Sequence, residues 1–206
     1  MMAETMAGMD RLLTAREASF VAGVSYDKVV KALENRTVPN RAGRARQRAL
    51  DLDGVLSLTL SDRLQGYPAL MRRRVSRRVL EHLRGDGPDA NAPDIIDSDG
   101  LVVTTFRTGE LFRGVQERLS ILVKLTASVE RNPDVQGGAP VFRGTRIMVH
   151  HIADLLRSGT NRREIQEDFP DLDEEMLELA LLFDRLHPVK GRPVRKAGQS
   201  EISLPD

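Results

Sequence analysis

Gly137-Gly138-Ala139-Pro140-Val141-Phe142-Arg143-Gly144-Thr145-Arg146-Ile147 is the stretch from which the fold of this chain is read. Apolar residues alternate with glycines and two arginines, a pattern that suits a tight β-hairpin. Gly137, Gly138 and Gly144 accept positive φ without a Cβ clash, and Pro140 restrains the chain between them. From there to Leu186 the pattern is helical. Val149 to Arg157 reads as a short helix ended by Gly159. Thr160 begins a second, with Ile165 and Phe169 inward, and Pro170 stops it. Asp173 caps a third, in which Met176, Leu179, Ala180, Phe183 and Leu186 share one face.

Upstream of the hairpin, Thr108 opens a helix expected to reach Arg131. Phe112, Val115, Leu119, Leu122, Thr126 and Val129 recur with gaps of three and four, as in a bundle or short coiled coil. Packing within the chain and pairing with a second copy both fit this stripe. Before it, Asp94–Ile96 and Leu101–Phe106 flank Ser98-Asp99-Gly100 and read as a hairpin. Gly85 to Pro93 has linker composition. A helix from Tyr67-Pro68 to about Arg84 buries Met71, Val75, Val79 and Leu83, while Arg72, Arg73, Arg74, Arg77 and Arg78 form a solvated face.

At the N-terminal end, Thr14-Ala15-Arg16-Glu17 fits a capping box. The helix it opens carries Ala18, Val21 and Ala22 and ends at Gly23, a left-handed cap. Ser25 then caps a second helix to about Asn35, with Val29, Val30 and Leu33 inward. Two short helices about a glycine turn read as helix-turn-helix. Arg36 to Leu52 reads as a wing, with turns at Pro39-Asn40 and Ala42-Gly43 and with Arg44, Arg46 and Arg48 alternating. Asp53 is expected to cap a helix to about Gln65.

Composition bounds what such a chain does. Its 206 residues suffice for one or two cores, and a net charge of +1 conceals strong segregation. Arg11 to Arg48 holds nine basic residues against three acids, whereas Glu164 to Asp184 holds nine acids and neither Lys nor Arg. The two ends therefore suit different partners. Absence of cysteine excludes disulfides and Cys-based zinc sites. No apolar run approaches the ~20 residues of a membrane-spanning helix, and no export signal is visible, so a cytoplasmic location is expected. Aromatic residues make up 4% with no tryptophan, which argues against a stacking platform for single-stranded nucleic acid.

The cationic N-terminal segment is the candidate for double-stranded DNA. Ser25, Tyr26 and Lys28 occupy the end of the second helix that meets base edges, and Lys31 reaches a phosphate. Arg36, Arg41, Arg44, Arg46 and Arg48 neutralise phosphates from the wing. In the C-terminal helices, Asp173, Glu174, Glu175, Glu178 and Asp184 occupy the recognition position and would repel DNA, so this region suits protein binding. Arg143 and Arg146 pair with these acids or with a partner. No catalytic set, metal site or cofactor motif emerges. His150-His151 are adjacent rather than four apart, and no nucleophile has a base, so no enzyme is expected.

The motif resembles the GGxPVxRGTRI signature of a small bacterial domain-of-unknown-function family, which occurs alone or as the C-terminal part of VapB-like antitoxins. The likeness spans roughly Asn132 to Leu186. The N-terminal segment is similar to the readers of MerR- and excisionase-type DNA-binding proteins. Together these resemblances imply a type II antitoxin that binds its own operator as an autorepressor and neutralises a PIN-like, VapC-type ribonuclease. In that reading Arg192, Arg195 and Lys196 of the tail engage the carboxylates of the toxin, with Arg143 and Arg146 as further contacts. Palindromic operators imply a homodimer, with no membrane partner and no cofactor. A stand-alone MerR-like regulator with a sensing domain is the alternative, and an assembly adaptor that never touches DNA is a third.

The expected fold is mostly α with small β-hairpins. It comprises a disordered N-terminus (1–10), a winged helix-turn-helix (11–66), a helical middle region with a hairpin and a candidate dimer seam (67–131), a hairpin plus three-helix domain (132–187) and a basic flexible tail (188–206).

Overall fold

The structure, a computed structural model, describes residues 12–35, 37–38, 41–42, 48–86, 94–98 and 103–189. Two compact units divide the chain, Met1–Met148 and Val149–Asp206. The described residues are mostly helical, with eight α-helices and three two-stranded antiparallel pairings.

In the first unit, helix α1 (Ala15–Ala22) opens with the expected capping box. The Thr14 amide donates to Glu17 Oε2 at 2.8 Å, and the Glu17 amide donates to Thr14 Oγ1 at 3.3 Å. Gly23, at φ +69°, closes the helix in a Schellman turn: its amide donates to Phe20 O at 3.2 Å and that of Val24 to Ser19 O at 3.1 Å. The last two carbonyls of α1 are met from other helices. Arg118 Nε donates to Val21 O at 2.8 Å, and the single Thr59 hydroxyl hydrogen is shared between Val55 O at 3.0 Å and Ala22 O at 3.2 Å. Of the four carbonyls that this helix end orphans, three thus have a donor of their own and Ala22 O shares one.

Helix α2 (Tyr26–Glu34) follows, capped by Ser25, with Val29 and Leu33 buried. Strands β1 (Arg41–Ala42) and β2 (Arg48–Ala49) pair antiparallel, and a bridge between Leu13 and Leu50 ties their base to the start of α1. Helix α3 (Leu52–Arg63) is capped by Asp51, not by the expected Asp53. The Leu13–Leu50 bridge holds the chain extended up to Asp51, whose carboxylate receives the Gly54 amide at 3.0 Å. Asp53 lies in the first turn, where its charge still complements the helix dipole.

Helix α4 (Ala69–Asp86) runs past Gly85, where a linker was expected to start, and buries Met71, Val75 and Val79. Strands β3 (Ile95–Ser98) and β4 (Val103–Phe106) form the middle hairpin. Two arginines of α4 serve it: Arg74 pairs with the buried Asp97 at 2.9 Å, and Arg78 donates to Ile96 O at 2.9 Å. The arginine face is therefore only partly a solvated one.

Helix α5 (Thr108–Ser128) buries Phe112, Val115, Leu119, Leu122 and Leu125. Thr126, expected on that stripe, is exposed and returns its hydroxyl to Leu122 O at 2.9 Å. The stripe is occupied within the chain, where α5 packs on α1, so it is not a free dimer seam. The helix also stops short of Arg131. Val129 turns extended (φ −118°, ψ 137°), and strand β5 (Val129–Glu130) pairs with β6 (Val141–Phe142). The GGxPVxRGTRI stretch is thus not a self-contained hairpin. Its own return leg is a single bridge, Val141 to Met148, and its main pairing reaches back to the residues after α5.

The second unit contains α6 (Val149–Ser158), α7 (Arg162–Asp168) and α8 (Glu174–Leu186), with α6 packed on both others. Gly159 (φ +89°) closes α6 in a second Schellman turn, the Thr160 amide donating to Leu155 O at 3.1 Å. Helix α7 starts at Arg162, so Asn161 rather than Thr160 caps it, its Oδ1 accepting the Arg163 amide at 2.9 Å. Asp173 caps α8 as expected. The face of α8 is wider than the expected stripe: Leu177 and Leu182 are buried with Leu179, Ala180, Phe183 and Leu186, while Met176 is half-buried.

Candidate nucleic-acid interface

The N-terminal end of α2 gathers the side chains singled out for DNA. Ser25 Oγ accepts the Lys28 amide at 3.4 Å, so it is engaged as a cap. Tyr26 is 40% exposed and lies beneath the guanidinium of Arg16, whose Cζ is 4.5 Å from the ring centroid. This cation–π contact fixes Arg16, a residue the sequence reading passed over, at the entrance to α2. Lys28 is ion-paired with Asp62 of α3. Lys31, in the last turn of α2, is exposed.

On β1 and β2, register sets Arg41 opposite Ala49 and Ala42 opposite Arg48. Arg36, Arg44 and Arg46 lie outside the described residues, as do Arg192, Arg195 and Lys196 of the tail. The structure thus brings Arg16, Tyr26, Lys28 and Lys31 onto one short helix and its neighbour.

The candidate protein-binding residues divide sharply. Arg143 is engaged: Nε donates to Ala127 O at 2.6 Å, capping the C-terminus of α5, and the guanidinium lies 3.6 Å from Glu130. Its carboxylate partner thus comes from β5, outside the acidic stretch. Arg146 is exposed and has no ion pair among the described residues.

Much of the acidity of α8 is answered inside the second unit. Arg162 pairs with Glu174 and, at 2.6 Å, with Glu178; these carboxylates hold its guanidinium above the ordinary arginine value. Asp184, 8% exposed, accepts from His150 Nδ1 at 2.7 Å and pairs with Arg157. His151 instead meets Phe169 edge-on, with centroids 6.0 Å apart. Among the described residues, no group of three or more His, Asp or Glu side chains converges to hold a metal ion, and no helix is long and apolar enough to cross a membrane.

Residues 129–183 match the family described as "Protein of unknown function (DUF433)". The match begins at β5, upstream of the Asn132 at which the motif resemblance starts, because the strand that completes β6 is part of the same structural element. No solved structure matches the chain. Over 196 residues the chain is 30% identical to the "Uncharacterized protein y4eO" of Sinorhizobium fredii (strain NBRC 101917 / NGR234), covering 91% of this chain and 86% of that one. The chain accordingly belongs to the family of y4eO and carries a DUF433 region in its C-terminal part.

Proposed function

We propose that this protein is a DNA-binding antitoxin: an N-terminal winged helix-turn-helix reads its own operator, and the C-terminal part restrains a PIN-like ribonuclease. The observation that carries the DNA half is the α1–Gly23–α2 turn, closed by its own backbone and braced by Arg118 and Thr59 from other helices. It presents Tyr26 and Lys31 to solvent in a segment where basic residues outnumber acids three to one. A recognition helix needs a rigid presentation and an electropositive surround, because phosphate contacts set its register before base edges are read. The partner-binding half is supported by charge. Acids still outnumber Lys and Arg by ten to four between Val149 and His187, a surplus that disfavours a nucleic acid, while Arg146 and the basic tail suit the acidic metal-binding site of such a nuclease.

Two measurements test the reading. Duplex DNA from upstream of the gene should bind at low salt and be released steeply as salt rises, with Lys28→Ala, Lys31→Ala and Arg44→Ala each weakening it. Absence of binding at low salt removes the DNA half. Co-expression with the neighbouring reading frame should give a complex in which Arg192→Ala combined with Arg195→Ala restores ribonuclease toxicity. Unchanged inhibition removes the tail from the mechanism.

One observation favours a second reading, a stand-alone regulator that senses a ligand. An open surface groove lies between α4, β3 and the start of α5, lined by Arg78, Glu81, His82, Asp94, Ile96 and Thr108. Its mixed charges suit a small zwitterion, and saturable binding of such a ligand that alters DNA affinity would favour the regulator.

A further inference from the structure

Arg118 reaches from α5 to the turn that separates α1 from α2. Its guanidinium lies in a slot made by two glycines: a Cβ on Gly23 would stand 3.3 Å from Cζ and Nη2, and one on Gly114 would stand 3.5 Å from Nη1. Nε–H is spent on Val21 O at 2.8 Å. The Nη hydrogens have no acceptor among the described residues.

Arg63, exposed at the C-terminal end of α3, stands one turn beyond Thr59, whose hydroxyl reaches Ala22 O at 3.2 Å, so α3 brings it toward the turn that Arg118 caps, and its charge acts on Arg118. Burial first, and Arg63 second, push the Arg118 guanidinium below the ordinary arginine value, while Glu117 opposes them. No carboxylate among the described residues forms an ion pair with either arginine, and Asp62, beside Arg63 in sequence, pairs with Lys28.

Capping Val21 explains one edge of the Arg118 guanidinium. It does not explain why α3 brings a second cation toward the same turn. Two neighbouring guanidiniums repel, and a half-buried one loses hydration, unless an anion takes the open N–H donors. A phosphate oxygen pair meets that requirement, since Arg forks bind it bidentately.

We propose that Arg63 and Arg118 form a phosphate clamp, and that it holds a backbone phosphate of the duplex read by α2. Helix α5 is then part of the DNA-contacting surface, although it follows the reader by more than forty residues in sequence. The clamp rests on the DNA-binding reading above.

The test uses the full chain and the upstream duplex, with the affinity followed from about 50 to 300 mM salt. Removing one phosphate-neutralising cation reduces the slope of log K against log salt by about 0.9. Arg63→Gln should show that reduction with unchanged thermal stability. Arg118→Gln should show it too, accompanied by faster amide exchange at Gly23 and Val24 because the cap on Val21 is gone. Arg118→Lys should retain most of the slope.

An unchanged slope in Arg63→Gln and Arg118→Gln, with wild-type binding intact, overturns the clamp and leaves the DNA reading standing. Failure of the wild-type chain to bind duplex overturns the DNA reading, and with it a clamp for DNA. Titration with inorganic pyrophosphate, read at the Arg118 Nε–H resonance, probes the anion site separately. A saturable shift abolished by Arg63→Gln is expected, and no shift overturns the site whatever the duplex does.

Discussion

Gly23 and Gly159 close α1 and α6 with the same kind of turn, yet the charges around the two turns are disposed differently. Each glycine takes a positive φ, each turn is a Schellman closure, and each is followed by a capped helix. The difference lies in what surrounds the turn and where the charges go. Around Gly23 the remaining carbonyls are held by Arg118 and Thr59 from distant helices, and cations next to it stay exposed. In the second unit, acids of α8 are answered by Arg162, His150 and Arg157. Identical backbone geometry therefore carries no function by itself. Charge left unanswered at the surface separates a candidate reader from a candidate docking unit.

The sharpest way to break this comparison is at Asp184. It is 8% exposed and serves both His150 and Arg157. Asp184→Ala leaves a half-buried imidazole without its acceptor and should cost about 3 kcal/mol, read by urea unfolding. Lys31→Ala, at an exposed cation, should stay within about 0.5 kcal/mol of the parent. Equal losses in both would mean that the second unit does not depend on internal charge pairing.

Next in size are the two turn glycines. Gly23→Ala and Gly159→Ala both force an L residue into the left-handed region, a cost of about 1–2 kcal/mol. The Cβ at position 23 would press on Arg118, whereas at position 159 it meets open space. Gly23→Ala should therefore be the more damaging, and the reverse order would deny Arg118 its place at the turn.

The caps should behave alike across the two regions. Thr14→Ala and Asp173→Ala each remove a side-chain acceptor at a helix start and should cost about 1 kcal/mol. A large disparity in thermal melts would show that one of the helices is held by packing alone.

The smallest effect is also the most specific. Asp62 holds Lys28 of the proposed recognition helix. Asp62→Asn frees that ammonium and should tighten duplex binding about two- to fivefold at low salt, the gain vanishing as salt screens it. Weaker binding instead would mean that the pair positions Lys28 rather than competing for it.

Local chemistry was legible from residues alone wherever the interaction closes within a few positions. The Thr14–Glu17 box, the Gly23 cap, the Ser25 and Asp173 caps and the Gly159 stop all appear where the sequence placed them. Each closes within about one turn, through a side chain meeting a backbone group at the capping residues and through backbone–backbone bonds at the two glycines. The mostly helical class with small β elements follows from the same signals.

What failed to show in the sequence are the pairings between remote segments. Val129–Glu130 continues the apolar spacing of α5 and reads as helix; it is a strand because Val141–Phe142 needs a ladder partner. Asp51 takes the cap from Asp53 because Leu50 is bridged to Leu13, and Asn161 caps α7 one residue later than the expected start at Thr160, whose amide closes α6. The engagement of Lys28 and Arg143, and the arrival of Arg118 at Gly23, have no local signature. Periodicity and capping determined which segments became helices and where most of them stopped, since those energies are short-ranged. Tertiary structure decided which charges are spent and which remain to meet a partner, because Coulomb pairing and backbone satisfaction depend on distance in space and not along the chain.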